Sequence, residues 1–275
     1  YTLDEYEYFG NSVVALGDVN GDGITDLAVG AWEDDDGGSW AGAAYVLFMN
    51  VTVIGAQKIS NGNGGLSATS LDAGDGFGVS LAALGDWDGD GIPDMAVGAY
   101  GDDGYRGAVY IIFLNSDGTV KAMTKISNSH GNLASFYTLG EYDYFGSSIA
   151  AIGDLDSDGV ADLAVGAFGD SDGSSATGAL YILCLWATAT GGGAQRIAHE
   201  LPDDRAHHAA NDATYDFANN CANADAHAGS LEHAKLFTEL IAEPGTYSSA
   251  FDGANPSAVS SAIQFSDSAP DEAPY

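Results

Sequence analysis

The feature that most constrains the fold of this chain is an internal repeat of 68 residues. A Phe-Gly pair, an aspartate-rich loop and a Gly-Ala pair follow one another at residues 9–31, 77–99 and 145–167. The phenylalanines Phe9, Phe77 and Phe145 keep the same step (77 − 9 and 145 − 77), and they are expected to lie in the core. A fixed period of this kind indicates an array of similar structural units that stack on one another.

Each unit has the pattern of four short strands. In the first unit the pattern predicts strands at Ser12–Leu16, Asp26–Gly30 and Ala44–Phe48, and a fourth that ends at Gln57–Ser60. Short runs rich in Val, Ile, Tyr and Phe, separated by Gly and Asp, indicate antiparallel sheet. Four strands per unit predict the blade of a β-propeller. The matching segments are 94–98 and 162–166 for the second strand, 109–114 and 180–185 for the third, and 124–127 and 195–198 for the fourth.

The predicted fold class is therefore all-β, with three blades at about residues 1–60, 61–128 and 129–198. Propellers usually have four to eight blades, so we expect a larger propeller, or one that later residues or another chain complete. The chain opens at Tyr1 with no leader visible, and we interpret it as a mature form or a fragment. Residues 199–275 are rich in Ala, Asp, His and Ser, and we predict a poorly structured tail with one short helix at 231–242.

A nine-residue loop in each repeat carries the chemistry of the chain. Positions 1, 3, 5 and 9 are Asp or Asn, and position 6 is a glycine that permits a sharp turn. Ca²⁺ takes six to eight oxygen ligands at about 2.3–2.6 Å, and the carbonyl at position 7 can add one. Three Ca²⁺ sites are therefore predicted. Their ligands are Asp18, Asn20, Asp22, Ile24 and Asp26; Asp86, Asp88, Asp90, Ile92 and Asp94; and Asp154, Asp156, Asp158, Val160 and Asp162.

An Asp/Gly turn without metal would explain one such loop, because these residues favour turns. Three copies with oxygen-bearing side chains at the same four positions favour calcium. Mg²⁺ fits less well, because it requires a stricter octahedral geometry and retains water. The first half of the loop has the chemistry of an EF-hand, but a strand rather than a helix follows position 9. We therefore interpret the metal as structural rather than catalytic.

Charge and hydropathy exclude two classes of partner. Forty acidic residues against seven basic ones give a formal net charge of −33, whereas a nucleic-acid-binding surface must be basic. No apolar run approaches the roughly 20 residues of a membrane helix, so no membrane insertion is predicted. Of the two cysteines, Cys184 lies in an apolar strand pattern and Cys221 in the polar tail, which favours a buried thiol at Cys184 over a disulfide.

Together, the Phe-Gly pair, the Asp-x-Asp/Asn-x-Asp-Gly-x-x-Asp loop and the Gly-Ala pair resemble the FG-GAP repeat of the integrin α-subunit N-terminal propeller. The resemblance covers residues 1 to about 198. It implies a seven-bladed propeller, a calcium loop between the first two strands of each blade, extracellular or cell-surface placement, and ligand recognition. One departure is the residue after Gly-Ala, which is Trp32, Tyr100 or Phe168 instead of the usual proline.

The loops after the Gly-Ala pairs are acidic and contain aromatic residues. In the family such loops line the face opposite the calcium sites, where ligands bind, so Trp40 and Tyr105 are candidate contacts for a protein or glycan, although solvated loops explain the same pattern. Packing between blades is expected for the tyrosines that precede the Phe-Gly pairs, which are Tyr6, Tyr8, Tyr142 and Tyr144.

The leading functional hypothesis is a calcium-binding propeller module for adhesion or for protein or glycan recognition. Two alternatives remain open: a surface or matrix component that self-associates through blade edges, and a non-catalytic scaffold attached to an enzyme. An enzyme activity of the module itself is not expected, because no nucleophile elbow and no phosphate-binding loop is present. Five of the six histidines fall in the tail without paired spacing, which gives little support to a transition-metal site.

Overall fold

The computed structural model describes residues 3, 5–131, 133–135, 137–155, 158–171, 177–186 and 194–202. All of them belong to one unit of the chain, Tyr1–Ala234. The predicted helix at 231–242 and the rest of the predicted tail beyond residue 202 lie outside the described residues, as does the predicted calcium ligand Asp156.

The described residues form three four-stranded antiparallel sheets, and in each sheet the strands follow one another in sequence order. The prediction of three all-β blades is confirmed, with strand ends within a few residues of those expected. The first blade contains β1 (Val13–Gly17), β2 (Asp26–Ala31), β3 (Ala43–Met49) and β4 (Val53–Ser60); the second contains β5 (Phe77–Gly85), β6 (Asp94–Ala99), β7 (Ala108–Leu114) and β8 (Val120–Ser127); the third contains β9 (Phe145–Gly153), β10 (Asp162–Ala167), β11 (Ala179–Trp186) and β12 (Ala194–Pro202). A single helical turn, α1 (Asp102–Tyr105), lies between β6 and β7, and a 3₁₀ turn (Leu133–Ser135) precedes β9.

The last strand of the third blade differs from the sequence prediction. β12 continues through Pro202, four residues past the predicted end of the repeats. Its register places Glu200 opposite Tyr181, whereas Lys58 and Lys125 stand opposite the equivalent tyrosines in the other blades. Residues 195–198 therefore lie in the fourth strand as predicted, but the prediction that the strand ends there, in the register of residues 57–60 and 124–127, was wrong. A β-bulge between Ile182 and Leu183 and the longer β11–β12 connection account for the shift.

Hydrophobic cores fill the spaces between successive blades. One core joins the first and second blades and another joins the second and third. Phe77 and Phe145 are fully buried in them, each edge-to-face with a tyrosine of its own blade. Phe9 is 37% exposed, so the prediction that it is a core residue was wrong. Phe9 lies on the outer face of the first blade, and no described residues form another blade against that face. Its side chain is therefore left partly exposed.

Backbone contacts between blades explain the glycine of the Val-Gly-Ala segments. The hydroxyls of Ser12 and Ser80 each donate a 2.7 Å hydrogen bond to a carbonyl of the next blade, that of Gly78 and Gly146 respectively. The same Gly146 carbonyl lies 2.0 Å from where a Cβ on Gly98 would stand. Only glycine allows the strands to approach this closely.

Two further expectations concern Cys184 and membrane insertion. Cys184 is buried in β11 and is disulfide-bonded, so the expectation of a buried free thiol was wrong. Within the part of the chain that the structure describes, no helix is both long enough and apolar enough to cross a lipid bilayer.

Candidate metal centres

The three aspartate loops connect the first two strands of each blade. They lie between β1 and β2, between β5 and β6, and between β9 and β10. The glycines at position 6, Gly23, Gly91 and Gly159, have φ values of 86°, 90° and 93°. This left-handed conformation suits glycine and makes the sharp turn that the sequence predicted.

Hydrogen bonds from the backbone fold the first loop around its acidic side chains. The two carboxylate oxygens of Asp18 accept from the N–H groups of Gly21, Asp22 and Gly23 at 2.7–3.0 Å. The side-chain oxygen of Asn20 accepts from Asp22 at 2.9 Å. Asp22 in turn accepts from the N–H of Ile24 at 2.8 Å. The side chains at positions 1, 3 and 5 are therefore held on the inside of one turn.

The other two loops repeat this pattern. Asp86 accepts from the N–H groups of positions 5 and 6 of its loop, both at 2.9 Å. Asp154 does the same at 3.0 and 2.8 Å. The N–H groups of Ile92 and Val160 bind Asp90 and Asp158 at 2.9 and 2.8 Å, so the position-7 residues are held close to position 5.

The aspartate at position 9 links each loop to the third strand of its blade. Asp26, Asp94 and Asp162 are at most 1% exposed. Each accepts one N–H from position 2 of its own loop at 2.7–3.0 Å and one from the third strand at 2.8–3.0 Å. Sequence reasoning missed this link to the third strand, although a charged residue at the start of an apolar strand was a signal for it.

In the second loop the side chains already converge as a metal site requires. One carboxylate oxygen from each of Asp86, Asp88 and Asp94 lies within 4.8 Å of the others. Burial raises the pKa of Asp94 to about 6, despite hydrogen bonds from two backbone N–H groups. Converging carboxylates around a Gly-assisted turn are the donor set that Ca²⁺ prefers, so these residues fit the ion. The first loop has the neutral Asn20 at position 3.

A lysine from the fourth strand of the second blade also reaches this loop. The ammonium of Lys121 on β8 lies 2.7 Å from Asp88 Oδ2 and 2.6 Å from Asp90 Oδ2. These contacts raise the pKa of Lys121 and lower that of Asp90. In the first blade the same position of the fourth strand is Ile54. The loops therefore differ in their charged neighbours.

A second repeated set of polar contacts lies at the opposite end of the blades. Lys58 contacts Asp34 and Asp36 at 2.5 and 2.7 Å. Lys125 contacts Asp102 at 2.6 Å, and Tyr110 donates a hydrogen bond to the same carboxylate. The third blade keeps the Tyr–Asp part, a 2.7 Å bond from Tyr181 to Asp170. These contacts anchor the loops that follow the Gly-Ala pairs.

Asp75 lies beside this set in the second blade and is 6% exposed. Burial, followed by repulsion from Asp102, raises the pKa of the Asp75 carboxyl to about 7, although Lys125 is close enough to oppose the shift. One of its oxygens accepts a 2.8 Å hydrogen bond from the N–H of Asp72.

An aromatic row crosses the three blades at this end of the molecule. Neighbouring ring centroids in the row are 5.8, 5.7, 5.8 and 4.6 Å apart. Three of its members follow the Gly-Ala pairs, where the family usually has proline. Their identical position in each repeat was the sequence signal for the row. Its members are Tyr8, Trp32, Tyr100, Tyr144 and Phe168.

The predicted ligand contacts Trp40 and Tyr105 lie on the loops at the same end. They are 51% and 38% exposed and occupy equivalent positions. Tyr105 stacks on Tyr142 with centroids 5.6 Å apart and contacts Tyr144, so two of the tyrosines before Phe-Gly pairs pack against the preceding blade. Tyr6 and Tyr8 are 76% and 55% exposed.

Comparison with known proteins places the loops in a family context. A model of the FG-GAP-like repeat matches residues 86–165, and a model of the FG-GAP repeat matches residues 9–47. Integrin alpha-11 of Homo sapiens is 34% identical over 165 residues, which are 60% of this chain. The match spans 13% of the length of that relative. The predicted resemblance to integrin α subunits is confirmed.

Proposed function

The chain is an FG-GAP repeat protein, and from this premise we propose that it is a calcium-binding propeller module. Each of its three loops holds one structural Ca²⁺. The observation that carries the proposal is the loop itself: three copies present oxygen atoms at the same positions and fold through the same hydrogen bonds. An ion there would neutralise three or four carboxylates at close range and join three strands of a blade.

Calcium stoichiometry tests this proposal directly. Isothermal titration of the metal-stripped chain should give three Ca²⁺ per chain. Replacing the position-1 residue of one loop, Asp86→Ala, should reduce the number to two. Asp117→Ala is a matched control, because this carboxylate lies in the β7–β8 turn and has no place in a predicted site. A chain that takes up no Ca²⁺ would contradict the proposal.

We further propose that the module is extracellular or at the cell surface. It recognises a protein or glycan through the loops that follow the Gly-Ala pairs and carry Trp40 and Tyr105, which we call the aromatic loops. Six aromatic residues on these loops and on the segments before the Phe-Gly pairs have a positive φ between 50° and 71°. The second blade has Gly74 and Gly76 in place of the two tyrosines that precede the other Phe-Gly pairs. Strained backbone that is retained at an exposed surface is typical of ligand sites. The similarity to integrin alpha-11 supports the same role. We propose no catalytic activity for the module.

Binding to a glycan array and to surface-protein fractions, with Trp40→Ala and Tyr105→Ala as loop variants, tests the recognition role. Both variants should lose binding without losing Ca²⁺. Val51→Ser, at the opposite end of the first blade, should bind normally. Equal binding by all variants would exclude this surface, and turnover in a hydrolase or lyase screen would contradict the non-catalytic role.

A second candidate function is assembly through the outer face of the first blade. Phe9 and Val13 are 37% and 58% exposed there, whereas their counterparts Phe77 and Leu81 are 0% and 9% exposed. Another blade, from the same protein or another chain, would bury them. Mass measurement by size-exclusion chromatography in calcium tests this candidate, because a Phe9→Ser variant should then dissociate. A chain that stays monomeric at all concentrations would argue against self-association.

A further inference from the structure

Residues 50–52, Asn-Val-Thr, form the turn between β3 and β4. They match the acceptor pattern for N-linked glycosylation, Asn-x-Ser/Thr with any residue but proline in the middle. No other triplet in the chain meets this pattern, since Asn255-Pro256-Ser257 has the excluded proline. A triplet of this kind has meaning only where the asparagine is accessible.

The geometry of the turn makes Asn50 accessible. All three residues of the turn are exposed. The side-chain oxygen of Asn50 accepts a 2.8 Å hydrogen bond from the backbone N–H of Val51. The backbone N–H of Asn50 donates to the carbonyl of Thr52 at 2.8 Å. Its amide nitrogen donates no hydrogen bond to any residue that the structure describes. The side-chain amide nitrogen of Asn50, to which an oligosaccharide would be attached, therefore lies on an exposed turn of defined geometry.

The tip of this hairpin exposes three apolar side chains that lie close together. Val51 is 96% exposed, Val53 51% and Ile54 60%. The last two belong to β4, which is an edge strand of its sheet. Exposed apolar residues that cluster on an edge strand favour aggregation unless something covers them.

The equivalent hairpin of the second blade serves as an internal comparison. Its turn, residues 115–119, contains Ser116 and Asp117 and has no acceptor triplet. The position of Ile54 is taken there by Lys121, which pairs with two aspartates. The hairpin that carries the triplet is therefore the apolar one, and the polar hairpin lacks it.

We propose that Asn50 carries an N-linked oligosaccharide that covers the apolar tip of the β3–β4 hairpin. The proposal rests on the extracellular placement proposed above. The N–H of Met49 binds Asp26, so this tip lies beside the first aspartate loop. It is thus at the opposite end of the blade from Trp40, and the oligosaccharide leaves the aromatic loops open.

The transfer is balanced without any redox partner. The amide nitrogen of Asn50 forms a bond to the anomeric carbon of an oligosaccharide linked to a lipid diphosphate. The bond from that carbon to the diphosphate oxygen breaks, and the lipid diphosphate leaves with the bonding electrons. One amide proton passes to a base of the transferring enzyme.

Secretion from a eukaryotic host under an added signal sequence tests the site. Peptide N-glycosidase should remove one oligosaccharide and convert Asn50 to aspartate, which mass spectrometry of the peptide identifies. Thr52→Ala should abolish the modification, and the matched variant Thr52→Ser should retain it. An unmodified Asn50 in folded, secreted protein would overturn the proposal.

A melting curve with and without calcium on the same sample separates the two proposals. Unmodified Asn50 in protein that calcium stabilises would refute the glycan alone. A glycan on protein that calcium does not stabilise would refute the metal sites alone.

The covering role has its own readout. Secreted Asn50→Gln should bind severalfold more of a hydrophobic dye than the glycosylated chain, and adding Val51→Ser and Ile54→Thr should reverse the increase. Equal dye binding with and without the oligosaccharide would overturn the covering role.

Discussion

A single residue, Lys121, distinguishes the second aspartate loop from the first, because Ile54 stands at its position in the first blade. Its ammonium contacts one side-chain oxygen of Asp88 and one of Asp90, two of the residues proposed to bind the ion. An ion bound in this loop would compete with the ammonium for these two aspartates. Asp88 and Asp90 lie 33 and 31 positions before Lys121 in the sequence, so neither the loop motif nor its spacing reveals the contact.

We expect Lys121→Met to tighten Ca²⁺ binding at the second site by roughly three- to tenfold, the worth of one or two exposed ion pairs. Trp87 follows Asp86 and packs on Phe113, whereas Val19 and Leu155 stand at its position in the other loops, so its fluorescence reports on this site. Ile54→Met at the equivalent position of the first blade is the control and should leave the titration unchanged. An unchanged or weaker affinity in Lys121→Met would contradict the competition.

Asp75 makes the stability of the second blade depend on pH. Its carboxyl binds a proton more tightly in the folded chain than in the unfolded chain, where the pKa is near 3.8. Its contribution is therefore fully present below that pH and is lost as the pH rises through about 7. Asp75→Asn, which keeps an acceptor for the N–H of Asp72, should remove this loss.

The measured quantity is the free energy of unfolding of Asp75→Asn minus that of the natural chain. We expect this difference to be larger at pH 8 than at pH 5 by on the order of 2–3 kcal/mol. Urea unfolding of both proteins at each pH, in the same calcium concentration, measures the difference. Any contribution of calcium is common to both chains, so its own pH dependence cancels. An equal difference at the two pH values would show that Asp75 does not titrate in this range.

The blades are held together where the second strand of one meets the first strand of the next. Gly98 on β6 lies against the carbonyl of Gly146 on β9, and a Cβ there would also stand 2.2 Å from Ser80 Oγ. At the equivalent position of the third blade, the atoms near Gly166 are from the side chains of Ser148 and Ser147, which can rotate away.

Gly98→Ala should lower the free energy of unfolding by roughly 2–4 kcal/mol, because two strands of neighbouring blades must separate to admit the methyl group. Gly166→Ala is the matched substitution and should cost about 1 kcal/mol or less. Denaturant unfolding of the two variants measures both values. Equal losses would mean that the close approach between blades is not what requires glycine.

At the scale of the whole molecule, the repeat period was enough to predict the number of blades, the strands of each and the position of the aspartate loops. Short runs of Val, Ile, Tyr and Phe, bounded by Gly and Asp, carry this information locally. The exposure of Phe9 could not be predicted in this way, because it depends on what packs against the blade. The register of β12 depends on a bulge near Ile182, and a contact such as that of Lys121 depends on where separate strands meet.

The central claim is that calcium in three loops holds the strands of the blades together. Each loop concentrates acidic side chains, and its position-9 aspartate ties the loop to the third strand. Removal of the proposed ion would therefore expose the blade to the repulsion between these side chains. The most direct test is the melting temperature of the chain in excess Ca²⁺ and after chelation, with Mg²⁺ as the comparison ion. We predict a melting temperature lower by at least about 10 °C after chelation, the size expected when ligands well above their dissociation constants are removed, and little recovery in Mg²⁺. An unchanged melting temperature after verified removal of calcium would contradict the account.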